Sequence, residues 1–163
     1  MTDCAVRKLI KYYKQLKKDI DNGSIDGLIA QPMKDNVLHW TAVIFGPQGT
    51  DWADGIFELE MIFKDDFPRS APEVKFITPV YHPNVYRDGK ICLDMLQNKW
   101  TPAYDISAIL NSIRSLFDDP NPASPANGEA AEAFQNNRPK YNEKVQQCVR
   151  DSIRIWKEKH PNS

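Results

Sequence analysis

Cysteine is scarce in this sequence: three in 163 residues, at positions 4, 92 and 148. Three cannot all pair, and their wide separation contains neither a CxxC pair nor the clustered Cys/His spacing of a zinc site, which argues against a disulfide scaffold and a structural metal. An excess of charge of one sign is lacking too. Lys and Arg total 21 against 22 Asp and Glu, a formal net charge of −1, so there is no global electrostatic footprint for nucleic acid or an anionic membrane. No apolar run approaches the ~18 residues of a membrane span. The N-terminal stretch MTDCAVRKLIKYYKQLKKDI interleaves charge with apolar residues where a signal peptide carries an apolar core. GxGxxG, a P-loop and internal repeats are also missing, which removes the dinucleotide and phosphate-cradling folds and the solenoids. These absences lead to the expectation of a soluble, intracellular protein of a length that forms one domain and buries roughly 70% of its unfolded surface without staples.

Residues 5 to 20 read as an amphipathic helix with Val6, Leu9, Ile10, Tyr13, Leu16 and Ile20 on one face and Thr2 or Asp3 as candidate caps. From Ile25 the period falls to two. Leu38, Trp40, Ala42 and Ile44 alternate with Val37, His39, Thr41 and Val43, and Phe57, Leu59, Met61 and Phe63 with Ile56, Glu58, Glu60 and Ile62. With further strands near Leu28 to Gln31 and Val74 to Ile77, this predicts a four-stranded antiparallel meander. After a loop region, Asp105 can cap a helix carrying Ile106, Ile109, Leu110, Ile113, Leu116 and Phe117 at helical spacing; Asn127 starts a short helix through Phe134, and Pro139 opens a last one to about Lys159. Strands first and helices afterwards indicate α+β, without βαβ alternation. Seven of the twelve prolines cluster at 68, 72, 79 and 83 and again at 120, 122 and 125, which makes both stretches stiff, ordered loops.

Of the three cysteines, Cys4 lies near a terminus. Cys148 falls on the helical stripe Tyr141, Val145, Cys148, Ser152, Ile155 and reads as a small core residue. Cys92 sits instead in HPNVYRDGKICLDML, just after a turn signal and beside the first proline cluster.

Tyr81, His82, Pro83, Asn84 and Val85, followed by Gly89, Ile91, Cys92, Leu93 and Asp94, then Trp100 and Pro102, then DPNPASPAN from Asp119, resemble the ubiquitin-conjugating enzyme family over essentially the whole chain. HPNVY, LQNKWTP, YDISAIL and DPNPASPANGEAA look most like the branch acting in post-replication DNA repair and chromatin ubiquitylation. The resemblance implies one conjugating domain over 1–163, core about 4–159, with an N-terminal helix, the meander, an active-site loop and three C-terminal helices.

It further implies that Cys92 accepts ubiquitin as a thioester and passes it to a lysine. A thiol with an ordinary pKa of about 8.5 already holds a few per cent thiolate at neutral pH, so no adjacent base is strictly required. His82 and Pro83 are then expected to organise the loop, and Asn84 to stabilise the oxyanion, support the loop, or both. Tyr86, Asp94 and Ser124 match positions around the lysine approach. Several relatives carry an acid at the position of Ser124, so phosphorylation there could restore a missing anion. Wild type, Ser124→Ala and Ser124→Asp should then differ in lysine discharge; equal rates would exclude the idea.

An activating enzyme and a ligase, RING type by the same resemblance, are expected on Arg7, Lys8 and Lys11, on Phe67, Pro68 and Arg69, and on Thr101, Pro102 and Ala103. ATP belongs to the activating step, so no cofactor and no metal is expected on this chain. Two other readings stay open: a conjugator of another ubiquitin-like modifier, and a catalytically silent ubiquitin-binding cofactor. The second is disfavoured by the cysteine itself.

Overall fold

The computed structural model describes residues 2–162, with the side chains of Thr2 and Asp3 outside the description. The first helix, α1, spans Thr2–Asp21. It therefore begins earlier than its sequence pattern indicates, and the two residues expected as caps lie inside its first turn, where their side chains are outside the described part. Four strands follow, β1 (Leu28–Met33), β2 (Asn36–Phe45), β3 (Ile56–Ile62) and β4 (Glu73–Phe76), in one antiparallel sheet of order β1-β2-β3-β4.

The period-two pattern decides which side faces inward. Ala30 pairs with Ala42, Ala42 with Leu59 and Leu59 with Phe76, so one row of buried side chains crosses all four strands. Trp40 and Met61 form a neighbouring buried pair. A one-residue slip would turn each row to solvent, which is why the register is tightly specified.

Helix α2 (Ile106–Asp118) buries Ile106, Ile109, Leu110, Ile113 and Phe117 in the same core, alongside Ala5, Leu9 and Leu16 of α1. Asp105 caps it, its carboxylate accepting from the Ala108 N–H at 2.8 Å. Asn127 proves to be the cap of α3 (Gly128–Asn136) and not its first turn, accepting from the Ala130 N–H at 3.1 Å. Helix α4 (Arg138–Lys159) is capped by Asn137 and carries Pro139 in its first turn, where a missing N–H costs nothing. It rests on β3, whose Ile56 N–H donates to the buried Ser152 hydroxyl at 3.1 Å. Among the described residues no helix is long and apolar enough to cross a membrane.

The packing concentrates aromatic rings at one end of the sheet. Phe117 lies 4.6 Å from Trp52, 5.0 Å from Phe57 and 5.9 Å from Phe76, centroid to centroid. The candidate site is built against this cluster.

Candidate active site

After β4 the chain turns back on itself. The Tyr86 N–H donates to the Lys90 carbonyl at 2.8 Å, the Gly89 N–H to Tyr86 at 3.0 Å, and the Phe76 N–H to Gly89 at 2.9 Å. Gly89 has φ 93°, and a Cβ there would lie 2.1 Å from the Phe76 carbonyl oxygen, so only glycine fits. Val85 and Ile91 pair across the turn. Cys92 follows as the residue at which the ladder ends, its N–H donating to the Asn84 carbonyl at 2.8 Å. Backbone pairing thus fixes the cysteine while leaving it half-buried at the rim.

His82 is 1% exposed and lies 6.2 Å from the Phe117 ring and 6.1 Å from Trp52. Its Nε2 lies 2.5 Å from the Leu116 carbonyl, which can only accept, and its Nδ1 2.9 Å from the Asn84 N–H, which can only donate. The ring is therefore neutral with the proton on Nε2. Both nitrogens are committed, and burial pushes its pKa down to about 4. A buried imidazole with no free lone pair cannot serve as the base for Cys92, so the organising role is the one its geometry permits.

This has a consequence for stability. Free histidine protonates near pH 6.5 and folded His82 near 4, so on acidification the unfolded chain takes the proton first. Stability from this group is complete above pH 6.5, falls between pH 6.5 and 4, and changes no further below. By pH 5 the loss is about 2 kcal/mol. Urea unfolding at pH 7.5 and 5.0 should show it, and the His82 ring resonances should stay unshifted between those values. Titration of that ring near pH 6.5 would contradict the assignment.

Asn84 is 1% exposed and ties this loop to the proline-rich segment after α2. Its amide nitrogen donates to the Asn121 carbonyl at 2.8 Å and the Ser124 carbonyl at 3.1 Å, and its Oδ1 accepts from the Asn121 N–H at 2.8 Å. The Pro83 carbonyl accepts from the Ala126 and Asn127 N–H groups at 2.8 and 3.0 Å. Ser124 is itself exposed, and so is Tyr86, at 45%. Asp94 begins a short 3-10 turn, Asp94–Leu96, and its exposed carboxylate lies 3.8 Å from the Lys99 ammonium. Asn121 is the residue that sequence reasoning did not single out, and Gly89 and Leu116, read there only as a motif position and a helix-stripe position, join the site through their backbone carbonyls. The DPNP motif contained Asn121, but its partner is 37 positions away.

The two loops expected to dock partners are brought together by Trp100. Its Nε1 donates to the Pro68 carbonyl at 2.9 Å, and its ring lies 6.1 Å from Phe67 and 5.6 Å from Tyr104. Arg69, Pro102 and Ala103 are exposed, Pro68 and Thr101 partly so. Phe67 corrects the expectation: it is 1% exposed, packed on Phe63 at 4.8 Å and edge-on to Tyr12 at 6.3 Å. Its ring is the largest apolar surface in the loop, and the core takes it, so it anchors the loop and offers nothing to a partner. On α1, Arg7 and Lys11 are exposed, while Lys8 is partly buried over the Tyr12 ring at 5.4 Å. Among the described residues, no three His, Cys, Asp or Glu side chains converge as a metal site.

Fold and site together define an α+β domain whose one half-exposed thiol on a hydrogen-bonded loop stands beside a helix-and-loop surface. The chain belongs to the ubiquitin-conjugating enzyme family: the family model described as "Ubiquitin-conjugating enzyme" matches residues 10–149. It is 49% identical to ubiquitin-conjugating enzyme E2 1 of Caenorhabditis elegans over 152 residues, which cover 93% of this chain and 77% of that protein. Ubiquitin-conjugating enzyme E2 2 of Kluyveromyces lactis is 48% identical over 93% of this chain and 90% of its own length. Ubiquitin-conjugating enzyme E2 3 of Arabidopsis thaliana is 47% identical over 93% and 99%.

Proposed function

We propose that this chain takes ubiquitin from an activating enzyme as a thioester on Cys92 and delivers it, usually with a RING-type ligase, to substrate lysines. The observation that carries the reading is the half-exposed Cys92 held at the end of a rigid ladder. Its thiolate attacks the carbonyl of ubiquitin bound to the activating enzyme's thiol; a new S–C bond forms, the old one breaks, and that thiol leaves as thiolate. In the second step a lysine amine attacks the same carbonyl, loses its proton to the surroundings, and Cys92 departs as thiolate.

Asn84 supports the loop, and either of its N–H groups can serve the oxyanion once released from a loop carbonyl. The 3.1 Å bond to Ser124 is the longer of the two. Tyr86, Asp94 and Ser124 border the lysine approach. Arg7, Lys8 and Lys11 with Pro68, Arg69, Thr101, Pro102 and Ala103 form the surface shared by activating enzyme and ligase. The whole chain acts as one catalytic domain, in the cytoplasm, the nucleus or both, with no bound cofactor or metal, and in the branch serving DNA repair and chromatin. That last assignment rests on the quoted loop and helix motifs.

Incubation with activating enzyme, ATP and ubiquitin should yield a reductant-sensitive adduct. Absence of that adduct, or its formation only with another ubiquitin-like modifier, would overturn the reading.

A further inference from the structure

The geometry points to a selectivity groove beside Cys92 that favours acceptor lysines with an acidic side chain close by in their own sequence. The inference rests on the transferase reading above and assigns it a class of substrate.

The turn that positions Cys92 also projects Tyr86, Arg87, Asp88 and Lys90, all exposed, from the surface. On the side of α3 and α4 this turn walls a groove of about 820 Å³, lined by Tyr81, Tyr86, Arg87, Asn127, Glu129 and Lys144 among others. The cations and acids of its walls do not cancel. Lys144 is ion-paired with Glu129 and lies over the Tyr81 ring at 5.2 Å. Lys90 and Asp88 approach to 4.0 Å. Arg87 makes no contact ion pair: among the described residues no carboxylate lies within 4.0 Å of it and it makes no hydrogen bond, although its charge, after those of Lys144 and Lys140, helps hold the Glu129 carboxyl below its ordinary range. Its planar guanidinium is suited to a carboxylate, which it can hold through two parallel N–H groups. The N-terminus of α3, capped by Asn127, opens into the same groove and adds a weaker positive field.

Lys90, two positions before Cys92, lines this groove, so a substrate segment that delivers a lysine to Cys92 brings its neighbouring residues close to the rim. Extended chain advances ~3.4 Å per residue, so residues two to four positions from the lysine cover about 7 to 14 Å, a reach that matches or exceeds the two residues of chain between Cys92 and the groove wall at Lys90. A carboxylate there meets an unpaired cation; a neutral residue gains nothing, and a lysine is repelled. Exposed ion pairs are modest, so the discrimination should be about two- to five-fold and should appear in binding, not in the chemical step.

The test is single-turnover discharge of the purified ubiquitin thioester of the full chain onto synthetic peptides with one lysine. Three series carry Asp, Asn or Lys at each position from two to four residues on either side. The best Asp peptide should reach half-maximal rate at a two- to five-fold lower concentration than its Asn counterpart, with an equal maximal rate, and the gap should close at high salt. Arg87→Ala should erase the preference, and Arg87→Glu should transfer it to the Lys peptide. Both variants should charge, and discharge onto free lysine, as wild type does. Equal half-saturation for Asp and Asn peptides, or a preference that survives Arg87→Ala, overturns the inference. Failure of wild type to charge at all would instead overturn the transferase reading.

Discussion

Cys92→Ala is expected to abolish the reductant-sensitive ubiquitin adduct, whereas Cys4→Ala and Cys148→Ala retain it. The distinction is physical. Cys148 is only 9% exposed, and burial pushes its thiol pKa up to about 11. Its sulfur is also engaged, accepting from the Tyr81 N–H at 3.4 Å and donating to the Pro79 carbonyl at 3.5 Å. It therefore offers neither access nor thiolate. Removing it should cost about 1–2 kcal/mol in an unfolding titration through lost packing, and leave charging intact. Cys4 is exposed on the first turns of α1 and lies outside the hydrogen-bonded loop that holds Cys92. Survival of the adduct in Cys92→Ala, checked by mass mapping of the labile modification, would remove the central assignment.

Asn84→Ala should be the next most damaging change. One substitution deletes three hydrogen bonds and strands the N–H of Asn121 and the carbonyls of Asn121 and Ser124. The segment is close to solvent, so water can satisfy part of the loss, and a cost of about 2–3 kcal/mol is expected in stability. Lysine discharge should fall by about 100-fold or more, the scale for loss of one oxyanion donor in other acyl-transfer sites. Asn84→Asp separates the contributions. It keeps the acceptor for the Asn121 N–H but removes both donors and places negative charge where an oxyanion would develop. Discharge as slow as in Asn84→Ala, in a protein that by circular dichroism remains folded, identifies the donors as essential. A rate within about three-fold of wild type for Asn84→Ala would assign this residue to loop support alone.

The legible parts of the sequence were those whose information is periodic or local. The stripe from Ile106 to Phe117 and the alternation in β2 and β3 reflect one-sided burial, and both elements lie where the pattern places them. The caps Asp105 and Asn127 act on N–H groups three residues away, so local chemistry made both helix starts readable, whereas Asn137, the cap of α4, was passed over in favour of Pro139. The family motif singled out Cys92 before any coordinates. Phe67 was misread because proximity to exposed Pro68 and Arg69 says nothing about the direction of its ring, which is set by Tyr12, Phe63 and Trp100 from three other segments. The His82 protonation state depended on Leu116, 34 positions away, and the Asn84 clamp on Asn121 and Ser124, 37 and 40 away.

The order of residues thus determined the α+β class and the inward face of each strand and marked Cys92 as the candidate nucleophile, because hydrophobic period and motif chemistry act over a few residues. Folding decided the rest: that His82 is neutral and fully engaged, that Asn84 bridges two loops, and that Arg87 stands without a contact ion pair near the site. Each depends on which distant groups desolvate or bond a side chain, and those neighbours exist only once the chain has closed on itself.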